Sequence, residues 1–189
     1  MNAALPSHLR RVVTDGSDRG EWMRARSRGI TATDVAKLST PRSIDSAAWE
    51  KLHGSSFTGN AFTRHGTERE PVIAAWVLRE HGIEPSRALF HAETDMRHLA
   101  TPDGLVLREA GTLELAEIKT TNKTWRTIPR NYMRQIWWQQ YVLGAERTLM
   151  VWERHENFVP VGDPECRWVD RDENEIAKLV GLAGKLIDT

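Results

Sequence analysis

The sequence predicts an α/β sandwich, a central mixed sheet flanked by helices. Three observations carry that prediction. Leu113-Glu114-Leu115-Ala116-Glu117-Ile118-Lys119 alternates at period 2, as a strand does. Val72, Ile73, Trp76 and Val77 recur at helical spacing, and Gly82 follows at the stop position. Strand-like and helix-like segments then succeed one another with no internal repeat or low-complexity stretch.

In chain order, Thr31 or Thr33 can cap a short helix through Val35 and Leu38, leaving backbone N–H groups aimed outward toward an anion. Segments rich in Pro, Gly and Ser at 39–46 and 54–60 read as loops. A helix is expected over 64–81. Near its start lies Gly66-Thr67-Glu68-Arg69-Glu70-Pro71, with Pro71 in a first turn, where its missing N–H costs little, and with acids that suit the helix dipole. Strands follow near 87–92, 98–107 and 112–120, the last two joined as a hairpin through Arg108-Glu109-Ala110-Gly111. A second helix covers 130–143. On it Gln135 and Gln139 share a face with Asn131 and Trp138, a polar stripe that is either a solvated edge or a wall of a site. Strands at 147–153 and 158–161 come next. A last helix over about 171–187, capped near Asp170, carries Ile176, Leu179, Val180, Ala183 and Ile187 for packing on the core or on another subunit.

The chemistry lies on the hairpin. Period 2 puts Glu117 and Lys119 on one face of their strand, and Asp103, ahead of the preceding strand, can face Glu117 across the sheet. Two carboxylates supply hard oxygen ligands for Mg²⁺ or Mn²⁺, and a lysine beside them offsets charge that builds on a phosphoryl group. This is the minimal equipment for metal-assisted phosphodiester cleavage. A turn at Asp103-Gly104 and a surface ion pair between Glu117 and Lys119 would leave the same pattern, so the neighbouring segments must decide.

Composition narrows the classes. The 189 residues suffice for one domain with a full core, and a single cysteine, Cys166, excludes both an intramolecular disulfide framework and a four-cysteine iron–sulfur site. No apolar leader and no membrane-spanning run is present, so an intracellular protein is expected. Twenty-six basic residues balance 26 acidic ones, but 119–134 holds Lys119, Lys123, Arg126, Arg130 and Arg134 without an acid, a stretch suited to phosphate contacts. Among eight tryptophans, Trp76, Trp137 and Trp152 read as core, while Trp125 is placed to stack on DNA. The histidines lack metal-ligand spacing, which argues against zinc, and Gly181-Leu182-Ala183-Gly184-Lys185 is too short for a phosphate loop.

Five strings in order, Gly29-Ile30-Thr31-Ala32-Thr33-Asp34-Val35, Gly66 to Pro71, Thr101-Pro102-Asp103-Gly104-Leu105, Glu117-Ile118-Lys119 and Tyr132-Met133-Arg134-Gln135-Ile136, run from about Trp22 to Glu153. Together they resemble the lambda-exonuclease and YqaJ-like viral recombinase family of the PD-(D/E)XK nuclease superfamily. The resemblance implies a restriction-endonuclease-like core at about 22–153 within a single domain, 1–189. It implies that Asp103 and Glu117 bind Mg²⁺, with Mn²⁺ as a substitute and the Ile118 carbonyl as a further ligand. Lys119 would position or activate water, Gln135 would orient the lysine or the water, and Glu70 would sit at the edge of the site as a metal or water ligand, with Glu68 its rival. Arg26, helped by Thr33, would take the 5′-phosphate of a DNA end; Arg24 and Arg28 flank it and leave the register open, and Lys123 and Arg126 would add DNA contacts. The implied activity is a 5′-to-3′ exonuclease on double-stranded ends that exposes 3′ single strands for phage-type recombination. Implied with it are a ring-shaped homotrimer, a single-strand annealing protein as partner, and a phage or prophage origin with action in the bacterial cytoplasm. The alternatives are an endonuclease or structure-specific nuclease of the same fold, and a catalytically silent DNA-binding module.

Overall fold

A computed structural model describes residues 4–188. After a 3-10 turn at Ser7–Arg11, the chain forms β1 (Val12–Thr14), α1 (Arg19–Ser27), α2 (Ala32–Ala36), α3 (Pro41–His53) and α4 (Ala61–His81). It continues with β2 (Glu84–Pro85), β3 (Leu89–His91), β4 (Leu99–Ala100), β5 (Gly104–Leu107), β6 (Leu113–Thr121) and α5 (Arg130–Leu143). β7 (Arg147–Glu156), β8 (Val159–Pro160), β9 (Glu165–Asp170) and α6 (Glu173–Asp188) complete it.

The predicted α/β class holds, with a curled mixed sheet flanked by helices. The main sheet has the order β2-β5-β6-β7-β8, and β9 also pairs with β7. Only β6 and β7 are parallel in it, and α5 is the crossover that parallel neighbours require. β6 is thus an interior strand, which suits a segment whose first residues are all buried. β5 and β6 form the expected hairpin, with Gly104 opposite Ala116.

Several expectations are corrected. The single strand at 98–107 is two, because the chain leaves the ladder at Thr101-Pro102-Asp103, where Pro102 has no N–H to contribute. β4 and the strand expected at 87–92 belong to a separate three-stranded sheet, β1-β3-β4, rather than to the central one. The loop expected at 39–46 is a helix from Pro41 onward: Thr40 and Ser43 form a capping box and Pro41 occupies the first turn, so residues read as loop formers are helix starters. α4 begins at Ala61, capped by Asn60, which puts Pro71 in the helix interior instead of its first turn. There the proline removes the hydrogen bond that the Thr67 carbonyl would otherwise accept. α6 is capped by Asp172, whose carboxylate accepts the Glu175 N–H at 3.0 Å, not by Asp170. Its Ile176, Leu179, Ala183 and Leu186 are buried in the core cluster that Trp138 and Val142 of α5 also enter. Trp125 packs 5.5 Å from Tyr132 and 5.3 Å from Trp152 and is half-buried against the core. α1, β1, β2 and β9 had no counterpart in the sequence reading. Among the described residues no helix is long and apolar enough to cross a membrane.

Candidate active site

Asp103 leaves the ladder just before β5, directly opposite Glu117 of β6. Its N–H donates to the Ala116 carbonyl at 3.1 Å, and its Oδ2 accepts the Ile118 N–H at 2.8 Å. Two backbone bonds therefore set the carboxyl against β6. Burial first, then Glu117 and Glu70, hold the Asp103 carboxyl well above the usual carboxylate range, against the opposing pull of Lys119 and the Ile118 N–H.

Glu117 is 4 % exposed. One carboxylate oxygen, Oε1, lies 2.8 Å from Lys119 Nζ, and the other, Oε2, accepts from Gln139 Nε2 at 2.9 Å. The lysine also sits 4.9 Å from the centre of the Tyr132 ring. Burial alone would lower the ammonium, but Glu117 and Asp103 outweigh it and hold Lys119 above its ordinary value, so it remains a cation.

Glu70 reaches the same place from α4, and its neighbour explains why. Arg69 is tied inward to β7 by a two-pronged pair with the buried Glu153, Nε to Oε1 at 2.8 Å and Nη2 to Oε2 at 2.9 Å. With Arg69 anchored, helical rotation puts Glu70 in the lining of the cleft and leaves Glu68 outside it, although both are largely exposed. Gly66 lets this helix approach β6, since a Cβ there would lie 3.3 Å from Thr120 Oγ1. Burial, then Glu117, raise the Glu70 carboxyl, and Lys119 and Arg19 partly counter them.

The opposite wall is α1 and α2. Thr31 caps α2 in a reciprocal box with Asp34, as the sequence allowed, and Gly29 admits this segment to β4: a Cβ there would meet the Arg97 carbonyl oxygen at 2.4 Å. Arg26 Nη2 donates to Thr33 Oγ1 at 3.2 Å and to Thr31 Oγ1 at 3.4 Å, and its guanidinium lies 4.5 Å from the centre of the Trp22 ring. Burial lowers the Arg26 guanidinium, which Asp34 partly offsets. Arg19 lies over the same indole at 4.4 Å. Arg19, Trp22 and Arg26 stand three and four residues apart, along one face of α1.

These walls line one cleft of about 530 Å³, with Asp103, Glu117, Ile118 and Lys119 contributed from the side of β5 and β6 and Arg19, Arg26 and Thr33 from α1 and α2. Gln135 also lines it. A family model of the YqaJ-like viral recombinase domain matches residues 21–146, a span that holds every one of these residues but Arg19. The chain belongs to that family. Its fold is similar to an alkaline exonuclease from Laribacter hongkongensis, LHK-Exo, at TM-score 0.70 and 25 % identity, over 89 % of this chain and 91 % of that one. The same figures hold for LHK-Exo in complex with dAMP. A phage-related exonuclease from Haemophilus somnus 129PT shares the fold at TM-score 0.60 and 14 % identity, over 85 % and 93 % of the two chains. Among curated proteins none matches this chain.

In this YqaJ-like chain, then, Glu70, Asp103, Glu117, Ile118, Lys119, Gln135, Arg26 and Thr33 share one cleft. Arg28 does not; it lines a separate depression with Lys51, Leu52 and Arg97. Lys123 and Arg126 are exposed after β6, outside the cleft lining. Sequence reasoning left Arg19, Trp22 and Arg87 unassigned, all of which line the cleft. It gave Gln139 only a place on the polar stripe of its helix, whereas the Gln139 amide nitrogen lies 2.9 Å from Glu117 Oε2.

The donor set fits a hard divalent cation. Three carboxylates raise or oppose one another's charge, and Thr101 Oγ1, Gln135 Oε1 and Gln139 Oε1, all on residues of the cleft, are buried oxygens without a hydrogen-bond partner. Among the described residues no group of three or more His, Cys, Asp or Glu side chains is arranged to hold a metal ion by itself.

Proposed function

We propose that this chain is a Mg²⁺-dependent 5′-to-3′ exonuclease acting on double-stranded DNA ends, with Mn²⁺ able to substitute. Family membership and the likeness to LHK-Exo support a DNA exonuclease. The observation that carries the finer reading is one cleft that joins an acid-and-lysine floor to an arginine rim.

Asp103, Glu117 and the Ile118 carbonyl would hold the cation, with Glu70 at its edge. Bound there, Mg²⁺ supplies Lewis acidity toward a phosphoryl oxygen and a more acidic water. Lys119, kept cationic by its two acids, positions the water and offsets charge on the phosphoryl oxygens. Gln135 orients that water or the lysine. Arg26 and Thr33 take the terminal 5′-phosphate, since a guanidinium held by hydroxyls rather than by a carboxylate keeps donors for an anion. Complexation of LHK-Exo with dAMP, a nucleoside monophosphate, is consistent with release of single nucleotides from such a site.

A single-strand annealing partner, a homotrimeric ring and action in a bacterial host cell belong to the same proposal and rest on the family resemblance. The test is purified protein with Mg²⁺ on linear duplex labelled at either end, beside a closed circle and an Asp103→Ala control. Early loss of 5′ label from the linear duplex alone, absent in the control, is expected. Cutting of the circle would make the protein an endonuclease, and no cleavage of any substrate would leave a DNA-binding module.

A further inference from the structure

We infer that Gln139 is the positioning residue for Glu117, and that it sets the affinity of the cleft for a divalent cation. This rests on the metal-dependent reading above.

A carboxylate only accepts hydrogen bonds, so the amide nitrogen of Gln139 must be the atom that faces Glu117. It lies 2.9 Å from Oε2, while Lys119 Nζ lies 2.8 Å from Oε1. Each carboxylate oxygen therefore has one donor, and the two donors come from different directions, α5 and β6. Together they lock the rotation of the carboxylate about its last bond. Each oxygen still has a lone pair for a cation, because an ionised carboxylate offers about four acceptor positions.

Gln139 is itself held for this task. It is 3 % exposed, on an α5 whose next residue, Gln140, donates to Thr148 Oγ1 at 3.0 Å and to the Val169 carbonyl at 2.9 Å, which pins that turn to β7 and β9. Gln135, one turn earlier, lines the cleft but makes no side-chain hydrogen bond to Glu117 or Lys119 among the described residues. The remaining oxygen of Gln139, Oε1, is buried without a donor. An unpaired buried carbonyl is unfavourable, and a donor entering the cleft with substrate or as cation-bound water would satisfy it. Hydrogen-bond partners that orient a metal-binding carboxylate commonly change affinity by about 10–100-fold when removed.

The experiment is calorimetric titration of Mn²⁺ into the metal-free full chain, as wild type, Gln139→Met, which keeps the volume and loses the donor, and Gln139→Asn, which keeps the donor one methylene short. We expect Mn²⁺ to bind about tenfold or more weakly in both variants. Both variants should still fold, with the melting temperature of Gln139→Met lowered by a few degrees at most for the donor lost to Glu117, and the metal-free affinity for duplex should stay at its wild-type value. In steady-state cleavage the Mn²⁺ concentration for half-maximal rate should rise by the same factor, with a smaller change in the rate at saturating Mn²⁺. A folded variant with wild-type Mn²⁺ affinity overturns the inference, and so does loss of folding in both variants, which would make Gln139 structural. Failure of the wild type to bind Mn²⁺ or cut DNA is a separate result, and it removes the nuclease reading itself.

Discussion

The floor and the rim of the cleft are built in opposite ways. Asp103, Glu117 and Lys119 stand on or beside an interior strand, fixed by ladder bonds and by one another, and their charges are largely answered within the protein. Arg19 and Arg26 stand on a surface helix with no buried residue of its own, stacked on Trp22, and Arg26 meets hydroxyls instead of a carboxylate. The first is preorganised and electrostatically strained, as the proposed work on a reacting group requires. The second keeps unspent donors near solvent, as the proposed recognition of an anion requires.

The largest effect should come from the floor. Glu117→Gln or Lys119→Ala should lower cleavage by about 10²–10³-fold or more while duplex binding survives, since these groups act on developing charge more than on the ground state. Retained activity in Lys119→Ala would remove the floor from the chemistry. Strain makes a companion prediction. The Asp103 carboxyl is raised above its unfolded value, so its ionised form opposes folding at neutral pH, and the opposition fades as pH falls through the folded value. Asp103→Asn should therefore abolish cleavage yet raise the melting temperature of the metal-free protein, by roughly 2–4 °C per kcal/mol relieved. A lower melting temperature would show that the Ile118 bond outweighs the strain.

Next comes the anchor between α4 and the floor. Arg69→Ala strands Glu153, whose side chain is 4 % exposed, and should cost about 3 kcal/mol in urea unfolding, near the lower end of the range for a broken buried pair because Arg69 is partly open. A cost within a few tenths would mean that the pair does not set the rotation of α4. Smaller again is the rim. Arg26→Ala should reduce use of 5′-phosphorylated ends by about tenfold and of 5′-hydroxyl ends much less, which is the worth of one charge-assisted bond. Equal loss on both ends would make Arg26 a general phosphate contact.

The smallest effect concerns neither region. His8, His98 and His155 are buried and their imidazolium forms are disfavoured, chiefly by burial. Their folded values lie below the unfolded one, near 6.5, so the unfolded chain takes up protons first on acidification. Their contribution should make the urea midpoint fall as pH drops from about 7 to 5, and an Asp103→Asn, Glu70→Gln background isolates it from the two opposing carboxyls. A midpoint that rises in that background would contradict the burial argument.

Much of this was legible in the residues. The strand of Glu117 and Lys119 declared itself through period 2, and α5 ran from Arg130 to Leu143 as its spacing implied, because Pro129 and the left-handed Gly144 bound it locally. The opposition of Asp103 and Glu117 followed from a hairpin with a recognisable turn. Less legible was α3, whose capping threonine and proline also describe a loop. Pro71 was misplaced for a similar reason: a proline tolerated deep in a helix by its surroundings looks, in sequence, like one at a helix start.

By itself the sequence determined the α/β class, the strand bearing the acid and the lysine, and the helix bearing the glutamines, since each depends on local periodicity and caps. Tertiary structure decided which of two similar residues makes each contact in the cleft. Glu70 rather than Glu68 lines it because Arg69 is held by Glu153, 84 positions away. Gln139 rather than Gln135 touches Glu117 because β6, α5 and β7 pack in one crossover. Rotation of a helix about its axis is set by what the opposite face packs against, and those partners are distant in the chain.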